Sequence, residues 1–366
     1  MASFTSLPTS LAALSPTFLD QYAILEEAGV GGSGFVLKAK RKSDGLVCAA
    51  KLIAKDRVGG RGLVKTPHWG NVPIGFELED DGLLVIPAEA YCLRRLRHPH
   101  VVSFVDLFAD DLFYYLIMEH HGDAWRCDPV PSSYLPSPPI TPPAHFSTFP
   151  YDASASASSS SSRSPSESAM AARLTSGPPA PMMRRSSSDL FECVEKHRHF
   201  SEALARNIFF QLVATVYDLA RVGILHRDLK DENCCITADG RVKLVDFGSC
   251  VLFDPSQPPP IQREQRFYGT CTYAAPEVLA GKAYSMLAAE VYSLGILLSV
   301  LLTGEHPFLS PTEAAAGNRL PVKVPLSPYA HELMTRCLDV DPEKRISLEE
   351  LRRHPWVAGL HTLPHS

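Results

Sequence analysis

Long apolar runs are missing from this 366-residue chain. The longest strongly apolar stretch, Leu294 to Leu302, falls far short of the roughly 20 residues that a membrane-spanning helix needs. Excess positive charge is missing too. The 35 Lys and Arg against 40 Asp and Glu leave a net charge of −5, which argues against a nucleic-acid partner. Cysteine has no pattern: the nine residues are odd in number and form no CxxC pair, so neither a zinc site nor a disulfide framework is indicated. Free thiols in a reducing compartment fit better. The first twenty residues hold no Lys or Arg, whereas signal and transit peptides need a basic region. These absences lead to an expectation of a protein without a membrane span, cytoplasmic with the nucleus left open, and of a short disordered lead-in over residues 1–21; a monomer is expected too, although the sequence does not fix the oligomeric state.

Hydrophobic residues make up 45% of the chain, enough for a sizeable core, but 31 prolines are too many for a wholly globular protein of this size. They cluster. From residue 125 to 188 the chain is Ser, Pro and Ala, and a string such as ASASASSSSSRSPSESA cannot bury enough apolar area to offset its ordering entropy. This stretch reads as a disordered insertion inside a domain, because neither flank could fold alone.

Before the insertion, Tyr22 to Lys55 shows short apolar runs broken by glycine, as an antiparallel hairpin series does. Residues 56–86 are less regular. Pro87 then opens a helical pattern with Ala90, Leu93 and Leu96 on one face, and strand-like runs follow at 101–108 and 113–118. After the insertion, helices are expected over 203–219, 287–302, 326–338 and 348–356, the second apolar nearly all round. No internal repeat is present.

Five short segments carry chemistry. The first is Gly29-Val30-Gly31-Gly32-Ser33-Gly34, followed by an alternating strand pattern with Val36 and a turn at Asp44-Gly45. Glycines let backbone N–H groups approach phosphate oxygens, but the string alone leaves a plain glycine-rich turn equally open. The second is Lys51 in an apolar strand, either facing water at a sheet edge or paired, with Glu89 the candidate partner. The third is His226-Arg227-Asp228-Leu229-Lys230-Asp231-Glu232-Asn233, where Asp228 supplies a base, Asn233 a metal-binding oxygen and Lys230 positive charge between them. The fourth is Asp246-Phe247-Gly248 after an apolar strand, a carboxylate suited to Mg²⁺. The fifth is Ala275-Pro276-Glu277, preceded by Gly269-Thr270-Cys271-Thr272-Tyr273.

In this order the five segments resemble the signature set of the protein kinase family. The resemblance covers roughly residues 22–356, the insertion excepted. It is similar in particular to the PAS and Pim kinases, through IPAEAYCLRRLRHPHVV, IMEHHGD continuing as DLFECVEKH, HRDLKDEN, VDFGSC, FYGTCTYAAPEVLAGKAY and EVYSLGILL. The residues left over do not accommodate a PAS domain. The resemblance implies an α+β, bilobal fold: a small antiparallel β-sheet N-lobe over about 22–118 with one main helix, a hinge over 119–123, and a larger helical C-lobe over 189–357. The tail is 358–366.

It also implies ATP and Mg²⁺ as cofactors and protein Ser/Thr hydroxyls as substrates. Lys51 would hold the α- and β-phosphates and pair with Glu89. Asp228 would accept the hydroxyl proton, Lys230 steady the γ-phosphate, and Asn233 and Asp246 hold Mg²⁺. Val36, Ala49, Met118 and Cys235 would line the adenine slot, Glu119 and His121 would offer hinge backbone hydrogen bonds, and Asp189 would reach the ribose. Glu232, with Asp189, would receive an Arg upstream of the target Ser, a preference that Arg184 and Arg185 before Ser187 and Ser188 could satisfy within the insertion. Lys230 and Thr270 point to Ser/Thr specificity. Glu277 would form a structural ion pair with Arg345.

The pattern departs in places. Glu290 and Tyr292 stand where kinases usually carry Asp and Trp. Arg266 stands where many carry a phosphorylated Thr, with Glu264 the nearest anion for Arg227; activity without phosphorylation there is the expectation. A metal at His120-His121 is disfavoured, and Ser137, Thr141 and Ser164 before proline are either modification sites or products of composition. Two other functions compete. A pseudokinase scaffold usually lacks one of Lys51, Glu89, Asp228, Asn233 and Asp246, and all five are present. A small-molecule kinase has less use for the peptide-docking segment around Glu277.

Overall fold

The computed structural model describes residues 14–31, 34–67, 71–121, 189–237, 239–257, 261–262 and 269–359. The sequence expectations that rest on Gly32, Ser33, Ser137, Thr141, Ser164, Arg184 to Ser188, Glu264 and Arg266 lie outside the described residues.

The smaller lobe is an antiparallel five-stranded sheet preceded by a short helix. Helix α1 (Pro16–Gln21) leads into β1 (Tyr22–Gly31), β2 (Gly34–Arg41) and β3 (Val47–Ala54). A hairpin, β4 (Leu63–Pro67) with β5 (Leu83–Pro87), then runs into α2 (Ala88–Arg95), and β6 (Phe104–Ala109) and β7 (Phe113–Glu119) complete the lobe in the order β1-β2-β3-β7-β6. Alternation along the strands divides the residues between two faces. Leu37, Ala39, Cys48, Ala50, Leu52, Tyr115 and Ile117 form a buried back face. The register pairs Val36 with Lys51 and Ala49 with Met118, so these four share the opposite face.

The lead-in expectation needs correction at its C-terminal end. Residues 14–21 are ordered against the back face: Phe18 is fully buried, with its ring 5.4 Å from those of Tyr22 and Tyr115. Ser15 caps the helix by accepting from the Thr17 N–H, and its own N–H donates to the Tyr115 hydroxyl at 2.9 Å. A sheet face this apolar needs a cover, and α1 supplies it.

Residues 56–86, read as irregular, hold the β4–β5 hairpin. Leu84 and Ile86 are buried, and Phe76 stacks on Tyr114 at 5.6 Å. Pro87 ends β5 and is the residue before the first turn of α2, one position earlier than expected.

The larger lobe begins with α3 (Leu190–His197) and α4 (Glu202–Arg221). Short strands follow: β8 (Ile224–Leu225), β9 (Cys234–Ile236), β10 (Val242–Leu244), β11 (Val251–Leu252) and β12 (Ile261–Gln262). Helix α5 (Pro276–Leu279), β13 (Tyr284–Ser285), α6 (Met286–Thr303), α7 (Pro311–Ala316), α8 (Pro328–Cys337), α9 (Leu348–Arg353) and α10 (Pro355–Ala358) complete it. The helix expected over 348–356 is two helices, because Pro355 has no N–H to continue the first. By length and composition alone α6 could cross a membrane, but 72% of it is buried inside the protein, which makes it a core helix.

One apolar core joins the lobes, running from Leu93, Leu107 and Met118 to Leu212, Leu244 and Leu297. Backbone bonds reinforce it: Val102 donates to the Leu244 carbonyl at 3.2 Å and Leu244 to that of His100 at 2.9 Å. The cleft between sheet and helices is therefore fixed at its inner edge.

Candidate active site

The inner end of the cleft is built on Lys51. Its Nζ lies 2.9 and 2.7 Å from the two Glu89 carboxylate oxygens and 2.6 Å from Asp246 Oδ1. Strand β3 delivers the lysine, α2 the glutamate, and the turn after β10 the aspartate. Burial pulls the Lys51 ammonium down, but Glu89 and Asp246 outweigh it and hold it above the ordinary lysine value. Burial also works against the Asp246 carboxylate, yet the Lys51 charge and hydrogen bond bring it down to about 2. Burial dominates at Glu89 and raises it, with Lys51 pulling partly back.

Asp246 adopts a left-handed conformation, φ 60° and ψ 73°, and accepts from the Gly248 N–H at 3.2 Å. Strain at a non-glycine residue of this kind persists where the surroundings impose it. Space at Gly248 is tight: a Cβ there would stand 3.0 Å from Asp246 Oδ1, so the carboxylate would have to give by a few tenths of an ångström, and at an ordinary contact distance of 3.6 Å from Lys51 and Glu89 side-chain atoms. Phe247 is fully buried, its ring 4.7 Å from that of His226.

The loop after β8 carries the second group. Asp228 Oδ1 accepts from the Thr270 hydroxyl at 2.9 Å, and Lys230 Nζ lies 3.3 Å from Asp228 Oδ2. Lys230 also donates to Thr270 Oγ1 at 2.9 Å and sits 3.4 Å from Glu232. Asn233 spends its amide N–H on the Asp228 carbonyl, 2.8 Å, and carboxylate, 3.2 Å. His226 holds the loop from behind: its Nδ1 accepts the Asp228 N–H at 3.3 Å, which puts the ring proton on Nε2, 3.0 Å from the Val245 carbonyl. Arg227 takes a positive φ of 68° and donates its N–H to Glu290 Oε1 at 2.7 Å. Burial, only partly offset by the His226 and Arg227 N–H groups, raises the Glu290 carboxyl to about 7.

On the sheet side, Val36, Ala49 and Met118 share a face with Lys51. Strand β9 places Cys235 against Asp189 through a single bridge. Burial and the Asp189 charge push the Cys235 thiol up to about 12, so it acts as a small hydrophobe. The adjacent Cys234 points the other way, its thiol donating to the Lys230 carbonyl at 3.2 Å. Asp189 caps α3, accepting from the Glu192 N–H at 2.9 Å. Gly29 lies in β1 and Gly34 opens β2, where a Cβ would stand 1.7 Å from the Leu52 carbonyl oxygen. Val30 and Gly31 complete β1.

Two features escaped sequence reasoning. Glu119, considered only for its backbone, grips Lys243 with both oxygens at 2.7 Å and accepts from the Ser103 N–H at 3.0 Å. It ties the end of β7 to β10, a pairing across 124 residues that no local pattern signals. His121 sits behind this pair, Nδ1 3.7 Å from Glu119 Oε1, and burial followed by the Lys243 charge lowers its pKa.

In the larger lobe, Arg345 makes a two-pronged pair with Glu277 at 2.7 and 2.9 Å. It also donates to the carbonyls of Ala288, 2.8 Å, and Asp339, 3.0 Å, with its guanidinium 5.0 Å from the Tyr292 ring centre. Tyr292 thus offers a ring face to the cation at the position where the resemblance expects Trp.

The protein kinase domain family matches residues 181–357. Over 350 residues, 95% of this chain, the sequence is 28% identical to the PAS domain-containing serine/threonine-protein kinase of Mus musculus, covering 19% of that protein. It is 33% identical over 183 residues, 48% of this chain, to the human SNF-related serine/threonine-protein kinase, covering 23% of it. An Aurora kinase of Schizosaccharomyces pombe matches at 34% over 175 residues, 46% of this chain and 47% of the relative. The chain spans less than half the length of each of these relatives.

Proposed function

This chain carries a protein kinase domain of the serine/threonine type, and from that premise we propose that it transfers the γ-phosphate of ATP to Ser and Thr hydroxyls of protein substrates. The observation that carries the reading is Lys51 Nζ held between Glu89 and Asp246 within 2.9 Å of each. A buried ammonium with two carboxylates at the end of a cleft is costly unless its charge has a use, and phosphate oxygens give it one.

Catalysis here is positioning and electrostatics. Lys51 orients the α- and β-phosphates while Glu89 fixes the lysine. Asp228 takes the proton from the attacking hydroxyl; the Thr270 hydroxyl, 2.9 Å from its Oδ1, displays the hydrogen bond that a substrate alcohol would make. Lys230 keeps positive charge beside the transferring group. The donor set suits Mg²⁺: the Asp246 side chain is 47% exposed at a strand end, and Asn233 has turned its N–H away toward Asp228, leaving its carbonyl oxygen as the ligand end. A bound Mg²⁺ would neutralise phosphate charge there. The adenine would lie on the face of Val36, Ala49 and Met118, with Cys235 below, the backbone of Glu119 and His121 at its edge, and Asp189 toward the ribose.

A finer preference follows. Glu232 is 30% exposed on the catalytic loop and shares Lys230 with Asp228, so it can receive a substrate guanidinium. Asp189 has one oxygen committed to capping α3 and is the weaker receptor of the two.

A degenerate Ser/Thr peptide library with radiolabelled ATP tests the reading. Wild-type protein should transfer label, with arginine enriched upstream of the target. Asp228→Asn should lose about 10²–10⁴-fold in turnover with nucleotide binding retained. Undiminished turnover in that variant would remove Asp228 from the role of base.

A further inference from the structure

The helix that carries Glu89 and the segment that follows Asp246 meet through two sulfurs. Cys92 lies one turn after Glu89 on α2 and is fully buried, while Cys250 follows Gly248 by two residues and is partly exposed. Their Sγ atoms are 3.1 Å apart, about one ångström longer than a disulfide bond. Two other buried thiols are spent on carbonyl oxygens, Cys48 on Ala39 and Cys234 on Lys230. The Cys92–Cys250 contact joins positions 158 residues apart in sequence and serves neither the Lys51 group nor the Asp228 loop directly.

We infer that Cys92 and Cys250 form an oxidisable dithiol, a modification site that hydrogen peroxide closes into a disulfide between α2 and the segment after Asp246. The chemistry balances in two steps. Cys250, the less enclosed residue of the two, attacks one peroxide oxygen; the O–O bond breaks, water leaves, and Cys250 becomes a sulfenic acid. Cys92 then attacks that sulfur; the S–S bond forms, the S–O bond breaks, and a second water leaves with the thiol proton. Two thiols are oxidised by two electrons in all, and one peroxide is reduced to two waters.

The contact with Cys92, and then burial, raise the Cys250 thiol well above its ordinary value. Little thiolate is present at neutral pH, so the reaction is slow and responds to sustained oxidant or higher pH. Its product is a covalent staple between the element bearing Glu89 and the element bearing Asp246. Both partners of Lys51 are then held in the arrangement described above. The site is independent of the proposed phosphotransfer, because its test reads bonds and melting temperature.

The test is non-reducing peptide mapping of the full chain before and after incubation with hydrogen peroxide at pH 8. A peptide pair linked through Cys92 and Cys250, lost on adding dithiothreitol, is the expected result. Oxidised protein should melt several degrees higher than reduced protein, since a cross-link over a long loop restricts the unfolded chain. Cys250→Ser should lose both effects, and it serves as control alone if Cys92→Ala fails to fold. Recovery of Cys250 as a free thiol or sulfinic acid, with no linked pair, would overturn the proposal. So would a lower melting point for the linked form.

Discussion

Two buried ion pairs anchor the two lobes, and they differ in what surrounds them. In the C-lobe, Glu277 and Arg345 satisfy each other through both oxygens, and the remaining guanidinium capacity goes to two carbonyls and a tyrosine face. Four of the five guanidinium N–H groups are used in this way, and the Arg345 side chain is wholly inaccessible. In the N-lobe, Lys51 has two carboxylates competing for one ammonium, and one of them, Asp246, is about half exposed. A closed pair fixes structure. An open one, with surplus charge facing a cleft, is arranged to receive something else. Burial alone does not separate them, since Lys51 and Glu89 are as enclosed as Glu277; the partner inventory does.

The sharpest way to test the closed pair is to remove one half. Arg345→Met leaves Glu277 buried and unpaired, along with two carbonyls that lose their donor. The expected loss is about 3–5 kcal/mol of stability. By thermal melting that is a fall of roughly 10 °C. A melting point within a degree or two of wild type would show that the pair contributes little to stability.

The open pair should respond in the other sense. Lys51→Met removes the cation, but Asp246 can rehydrate and Glu89, already raised by burial, can take up a proton. Its melting point should therefore fall less than that of Arg345→Met. Phosphotransfer should drop by about 10²–10³-fold, as when one preorganised donor is lost from a charged transition state. If Lys51→Met melts as low as Arg345→Met, the distinction between open and closed pairs collapses.

Both pairs were legible in the sequence, but by different routes: Glu89 was a candidate partner for Lys51 from the residues themselves, whereas Glu277 and Arg345, 68 residues apart with nothing local to join them, were linked only by the resemblance. The long helices were legible from periodicity, because α4 and α6 repeat the pattern over several turns. Helix α1 was not. Six residues give too few turns for a period, and its one decisive residue, Phe18, reads as an isolated aromatic until the back face of the sheet is in place. The β4–β5 hairpin was hidden by the 15 residues between its strands, far longer than a tight turn with a recognisable signature. Glu119 with Lys243 and Cys92 with Cys250 are products of the tertiary fold, which brings together residues that no spacing rule connects.

The smallest expected effect concerns Glu290, which belongs to neither pair. Its partners are the N–H groups of His226 and Arg227, with the Arg227 charge a lesser influence, and burial raises its carboxyl from 4.5 to about 7. The sign follows from proton counting. The folded protein holds this proton more tightly than the unfolded chain, so stability contributed by the neutral form is lost as pH rises from about 4.5 and is gone above about 7. At about 1.4 kcal/mol per pH unit of difference, the group can account for up to roughly 3 kcal/mol across that window. Glu290→Gln keeps an oxygen for the Arg227 N–H and carries no charge. Melting temperature measured from pH 4.5 to 8 should therefore decline less steeply in the variant, and at pH 8 the variant should be at least as stable as wild type. Parallel curves would mean that Glu290 stays ionised throughout, held by the His226 and Arg227 N–H groups as firmly as a shorter Asp would be.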